Sequence, residues 1–402
     1  MKSSIKTSFS SLELFSGAGG LALGLHQAGF QHHALIEWNH HAVDTLRLNS
    51  QDYLCLSPDK IFNGDAREFN FSAYQGKVDL LAGGTPCQPF SNSGKNLGHL
   101  DERDMFPTFI QAVRDVRPKA ILIENVKGLL REKFKDYYDY ILRSLGYPFM
   151  KCRSNSFLDE LARLKRIKSQ DFNLDEQYFV TYQLIDTADY GVPQRRERVL
   201  VTAFRKDLGL MPHFIQQTHS KESLLHSQFI SGEYWKEHNV RPYNFLGPHD
   251  ERILRSLKEM TLFPNHKLNY KRWRTVRDAI SDLPKPVRRG QKEIIHNHVQ
   301  HPGARIYKGH IGSRYDYPAK TLKAGTHGTP GGENILVRGK EIRYFTTREA
   351  ARLHTFPDSW IFSAANWGSC IRQLGNALPV NIGFIFGTEI KNMLSKASIN
   401  HQ

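Results

Sequence analysis

The first two hundred residues alternate short apolar runs with amphipathic stretches, and this rhythm constrains the fold more than any other feature of the chain. "SLELF" (Ser11 to Phe15) predicts a buried strand, followed by a glycine-rich turn and a helix through Leu21 to Ala28. "HHALIEW" (His32 to Trp38) predicts a second strand and "KIFNGD" a third ending at Asp65. "VDLLAGG" (Val78 to Gly84) and "KAILIENV" (Lys119 to Val126) supply a fourth and a fifth. Phe106, Phe109, Ile110 and Val113 recur at helical spacing. "YFVTYQLID" and "RVLVTAF" add two more strands. Strands alternating with helices predict an α/β, doubly wound sheet.

A chain of 402 residues is too long for one small core, so one large domain and a smaller one are expected. The first spans 1–204, with a polar, charged insertion at about 151–177 read as a solvated surface elaboration. The second spans 205–372; from about Arg205 to Tyr317 it is rich in His, Arg, Lys and Pro with aromatics interleaved. The last stretch, 373–402, predicts a helix that returns to the first domain.

The net charge of +15 favours a polyanionic partner, of which nucleic acid is the common case. No uncharged apolar stretch is long enough to span a membrane, and the N-terminus lacks a secretory apolar region. Cys55, Cys87, Cys152 and Cys370 form no paired motif, so neither a disulfide framework nor a zinc site is expected and a reducing cytoplasm fits. His296, His298 and His301 are irregularly spaced, and no metal is expected there.

The turn after the first strand carries Gly17, Gly19 and Gly20, which let the backbone approach a ligand at the strand's carboxyl end. The full dinucleotide fingerprint is absent, since Ala22 takes its last place. Glu37 follows the second strand, where a carboxylate can accept from both hydroxyls of a ribose. Trp38 can cover an adenine face, and Asp65 can accept from an adenine amino group. With no phosphate-binding lysine loop, an adenosyl cofactor without phosphates, S-adenosylmethionine, fits better than NAD or ATP. The competing reading is that the glycines serve tight packing and Glu37 is a surface acid.

"GGTPCQPFSNSGK" follows the fourth strand at the same sheet edge. Pro86 and Pro89 restrict the backbone around Cys87, as a positioned nucleophile requires. The polar residues that follow suit a moving lid. Glu124 ends the fifth strand, and Arg196 and Arg198 open a later one. A thiol, an acid and two guanidinium groups beside a methyl-donor site form a specific combination.

Over nearly its whole length the chain resembles the C5-cytosine DNA methyltransferases. The pieces that carry the resemblance are "LFSGAGG", "EW", "GD", "GGTPCQPFSNSGK", "ENV", "QRRERV", "FTTREAARLHTFPDSW" and "QLGNALPV", in the family order. The resemblance implies a Rossmann-like, S-adenosylmethionine-dependent methyltransferase sheet with a smaller target-recognition domain. It implies that Cys87 adds as thiolate to C6 of a flipped-out cytosine, making C5 enamine-like. Glu124 then bonds N3, Arg196 stabilises charge at O2 and Arg198 buttresses Glu124. The cofactor set it implies is Phe15, Gly17, Gly19, Gly20, Glu37, Trp38, Asp65, Ala66, Pro86 and Asn376, with Asn376 at a late helix start. Ala66 is smaller than the residue often found there. Ser93 matches the position that fills the space left by the flipped base. Phosphate contact is expected from Lys271, Arg272, Arg274 and Arg277. The glycine-rich run Lys320 to Asn334 is read equally as a groove-approaching backbone or a hairpin turn.

The implied partner is double-stranded DNA, with a cognate restriction endonuclease acting on the same site without direct contact, and a monomer is expected. The alternatives are an RNA cytosine methyltransferase and a DNA-binding relative without catalysis. RNA-acting relatives carry a Cys-Phe-Thr tripeptide that this chain lacks, and the intact Cys87, Glu124, Arg196 and Arg198 oppose the second.

Overall fold

The computed structural model describes residues 8–86, 103–260, 268–306, 311–324, 334–363 and 366–400. In chain order the first elements are β1 (Phe9–Leu14), α1 (Gly20–Gln27), β2 (Phe30–Glu37), α2 (His40–Leu54), β3 (Ile61–Asn63) and β4 (Leu80–Gly84). There follow α3 (Phe106–Val116), β5 (Ala120–Val126), α4 (Lys135–Gly146), α5 (Phe157–Leu164), β6 (Tyr178–Asp186) and β7 (Glu197–Arg205). Next come β8 (His219–Ser220), α6 (Lys221–Phe229), α7 (Glu233–Glu237), α8 (Pro248–Met260), β9 (Lys271–Arg272) and α9 (Val276–Ile280). The last are β10 (Ser313–Arg314), β11 (Ile335–Arg338), β12 (Glu341–Tyr344), α10 (Thr347–Leu353), α11 (Trp367–Asn376) and α12 (Val380–Asn400). No described helix is long and apolar enough to cross a membrane.

The chain divides into two compact units. The first comprises 1–185, 197–215 and 356–402, and the second 186–196 and 216–355. These limits differ from the expected 1–204, 205–372 and 373–402, for physical reasons. Phe356 and Trp360 are buried in the first unit, where the Trp360 ring would stand 3.0 Å from a Cβ on Gly19. Residues 186–196 are tied instead to the second unit: Arg195 N donates to Ala319 O at 2.8 Å, and Ala319 N to Pro193 O at 2.9 Å.

The first unit is a seven-stranded sheet in the order β3-β2-β1-β4-β5-β7-β6. β1 runs parallel to β2 and β4, β2 to β3 and β4 to β5, whereas β7 is antiparallel to β5. On one face Leu12, Leu14, Ile36, Leu81, Ile121 and Ile123 bury against Phe106, Phe109, Ile110 and Val113 of α3. Each large apolar side chain so buried contributes roughly 1.5–3 kcal/mol. α12 packs on α1 so closely that helix backbones meet: a Cβ on Gly24 would lie 2.4 Å from Val380 O, and one on Gly20 2.0 Å from Leu378 O.

The 151–177 segment departs from the expectation of a merely solvated elaboration. It contains α5, capped by Ser156, with Leu161 and Leu164 buried and Phe157 edge-on to Tyr137 of α4 at 5.3 Å.

The second unit has a core of Leu224, Tyr234, Trp235 and Trp273, a three-stranded sheet β10-β11-β12 and the short parallel pair β8-β9. His298, at the centre of the histidine run, is buried with both ring nitrogens engaged, by Thr346 Oγ1 at 2.9 Å and Pro284 O at 2.8 Å. Most of the glycine-rich run lies outside the described residues.

Candidate active site

Strand order reverses between β1 and β4, because the chain runs outward through β2 and β3 on one side and through β5 on the other. Ligands of such sheets bind at the carboxyl ends of strands flanking this reversal. Phe15, directly after β1, has φ 58°, a left-handed conformation that costs a bulky residue on the order of 1–3 kcal/mol. Gly19 at φ 88° then turns the chain into α1.

Glu37, at the end of β2, ties this turn down. Its carboxylate accepts from Gly17 N at 2.8 Å, Trp38 N at 3.1 Å and Asn39 N at 2.8 Å. Burial raises its pKa, and these three donors oppose the rise. A Cβ on Gly17 would meet no heavy atom within 4 Å, so the backbone there faces open space. Trp38 is 75% exposed, with a free ring face beside Glu37. Asp65 caps the short turn that contains Ala66, and its carboxylate is held by Arg67. That bond, chiefly, lowers its pKa. An adenine amino group would therefore have to share Asp65 with Arg67. Ala66 itself is buried. Asn376 ends α11 and does not start a helix, since Pro379 intervenes before α12 opens at Val380. It is exposed, two residues before the Leu378 carbonyl that abuts Gly20.

Glu13 was not among the sequence candidates. It sits in β1 between Leu12 and Leu14, is 1% exposed, and its Oε2 has no hydrogen-bond partner among the described residues. Burial, and then the charge of Glu37, push its pKa well above the usual carboxylate range. A lone acid inside an apolar strand, just before a glycine-rich turn, was the signal available for it. The sign of its linkage follows: the folded state holds this proton where the unfolded chain has lost it, so stability declines as pH rises above about 4.5. Glu13→Gln is expected to raise the melting temperature of the cofactor-free protein more at about pH 8 than at about pH 5. An equal gain at both would show that Glu13 is not a buried neutral acid.

The chain leaves β4 at Gly84, Thr85 and Pro86, and Cys87 and Ser93 lie outside the described residues. Glu124 pairs with Gly84 in the β4–β5 register, and its Oε2 would stand 3.1 Å from a Cβ on Gly84. Asn125 Nδ2 donates to Thr85 Oγ1 at 2.8 Å, which fastens the start of the Cys87 segment to β5. Arg198 Nε lies 2.6 Å from Glu124 Oε1, with both side chains only 10% exposed. β7 supplies this arginine because its antiparallel register sets Arg198 against Val126, two residues beyond Glu124.

Arg196 belongs to the second unit, is 1% exposed, and donates from Nη1 to Leu322 O at 3.2 Å. Of the four basic residues expected on DNA, Lys271 and Arg274 are exposed. The other two are committed within the fold. Arg272 bonds Asp278 at 2.7 Å and Glu237 at 2.8 Å, and Arg277 forms a two-bond pair with the buried Asp316. The Glu237, His238 and Asp278 side chains come close enough to share a cation, and the Arg272 guanidinium bonds both carboxylates.

The C-5 cytosine-specific DNA methylase family matches residues 9–149 and 159–392. The chain is 31% identical to the Type II methyltransferase M.NgoMIV of Neisseria gonorrhoeae, over 96% of this chain and 99% of that one. It is 30% identical to the Type II methyltransferase M.Eco47II of Escherichia coli, over 96% of this chain and 79% of that one. Its fold is similar to that of the S. pombe Dnmt2 methyltransferase, with a TM-score of 0.54 at 17% identity, covering 96% of this chain and 99% of the other. These matches establish that the chain belongs to the C-5 cytosine-specific DNA methylases and is an enzyme that transfers a methyl group to cytosine C5 of DNA.

Proposed function

We propose that the chain methylates a flipped-out cytosine within a specific duplex sequence, with S-adenosylmethionine as donor and Cys87 as the covalent nucleophile. The observation that carries this reading is the buried Glu124–Arg198 pair, which lies against Gly84 at the strand end leading to Cys87. The residues at the β1 and β2 ends fit an adenosyl group: open space at Gly17, the carboxylate of Glu37 and the exposed ring of Trp38. When bound, S-adenosylmethionine supplies an electrophilic methyl on a sulfonium centre. The Cys87 thiolate adds to C6 of cytosine and pushes electron density to C5 and N3. Glu124, steadied by Arg198, takes the hydrogen bond at N3 and stabilises that density, and Arg196 is assigned to O2. Once C5 carries the methyl group, loss of its proton to solvent re-forms the C5–C6 double bond and expels the thiolate.

The second unit is assigned to sequence reading, with Lys271 and Arg274 on phosphates and Ser93 filling the vacated base position. Arg272 and Arg277 shape the unit through Asp278 and Asp316, leaving phosphate contact to the first two. The chain is assigned to the modification side of a restriction–modification system, a reading that relatives named Type II methyltransferases support. It is further assigned to act in the cytoplasm as a monomer, without direct contact with a cognate endonuclease. The test is incubation with duplex DNA carrying 5-fluorocytosine, where the final elimination is blocked. A denaturant-resistant adduct mapped to Cys87 is expected. Methylation of ordinary duplex without any such adduct would overturn the covalent route.

A further inference from the structure

We propose that His219, Lys271 and Arg274 form a phosphate-binding site in the second unit, built on the β8–β9 pair. This rests on the reading of that unit as the DNA-facing one. His219 and Lys271 are register partners in the parallel pair. Lys271 and Arg274 are exposed, and neither forms an ion pair with a described carboxylate. The other charges nearby are already matched. Arg272 is held by Asp278 and Glu237, and the Asp189 carboxylate accepts from Trp273 Nε1 at 2.8 Å. The half-buried His219 ring lies against Gly191, where a Cβ would fall 2.6 Å from it, and its Nδ1 is 2.8 Å from Thr218 Oγ1. With Nδ1 accepting from the threonine hydroxyl, the neutral ring presents Nε2–H as a donor.

The site is linked to a proton. Burial first, then Lys271, Arg274 and Arg272, push the His219 pKa down to about 4, so the free protein holds it neutral. A phosphate placed between these cations cancels their field and draws the pKa back up. Duplex binding therefore takes up a proton through His219, while Thr218 Oγ1 turns to accept from the new Nδ1–H.

The experiment measures binding of a fluorescein-labelled random-sequence duplex by anisotropy, against salt and against pH. Lys271→Ala and Arg274→Ala are each expected to lower the slope of log affinity against log salt by about one. Wild-type affinity should rise towards about pH 6 by up to about tenfold per pH unit, and His219→Gln should lose most of that excess. Both alanine variants change exposed side chains, so they test the site without threatening the fold. Salt slopes unchanged in these two, or a pH dependence unchanged in His219→Gln, would overturn the proposal. If instead the wild-type protein neither binds nor methylates duplex, the DNA reading itself fails.

Discussion

Cys87→Ala is expected to abolish methyl transfer while leaving duplex binding and cofactor binding in place. Cytosine C5 is too poor a nucleophile to attack a methyl donor until a nucleophile has added at C6. Alanine cannot add, and neither a water molecule nor the Glu124 carboxylate supplies a soft nucleophile that also leaves readily. The loss is therefore one of chemistry and not of assembly. The fold gives a reason to expect binding to survive. The strand that leads to Cys87 is fixed up to its end by pairing of Gly84 with Glu124 and by the Asn125–Thr85 bond, neither of which involves the thiol. Cys87→Ser is the sharper control, because it keeps one heteroatom on Cβ, smaller than sulfur, that stays protonated at neutral pH. Single-turnover transfer of labelled methyl, measured beside duplex anisotropy, checks both halves of the prediction. Transfer retained in either variant would remove Cys87 from the mechanism.

The sheet was legible because buried parallel strands read as continuous apolar runs, and "LLAGG" and "AILIENV" can hardly be anything else. What escaped depends on three-dimensional partners. α5 was hidden in a charged segment, although Phe157, Leu161 and Leu164 keep the spacing of one helical face. The second unit's limits depend on Trp360 finding Gly19 and on Ala319 finding Pro193 and Arg195, contacts between residues far apart in the chain. Arg272 and Arg277 look like their exposed neighbours until Asp278 and Asp316 are seen beside them. Of the expected catalytic set, the structure joins Glu124 to Arg198, whereas no local sequence signal required those two side chains to touch.

Arg198→Met and Glu124→Gln are expected to separate stability from chemistry at this pair. Each partner is 10% exposed, so solvent screens the pair little, and removing the arginine leaves a buried carboxylate without its counter-ion. Breaking a buried pair from one side costs about 3–5 kcal/mol, whereas replacing both members by uncharged residues of similar volume is often neutral. Arg198→Met alone should lower the denaturation midpoint sharply, and the double variant should recover most of the loss. Activity should follow the opposite logic. Glu124→Gln keeps the shape and can donate a neutral hydrogen bond to N3 but cannot take up a proton and deliver it there, so transfer should fall roughly 10²–10⁴-fold. Restoring stability in the double variant should restore none of it. A double-mutant cycle on both quantities makes the distinction: Arg198→Met should cost rate while Glu124 is present and add little once Glu124 is Gln, and that coupling in rate assigns Arg198 to positioning Glu124. If the double variant regained activity together with stability, Glu124 would be a structural acid, and N3 would need a different partner.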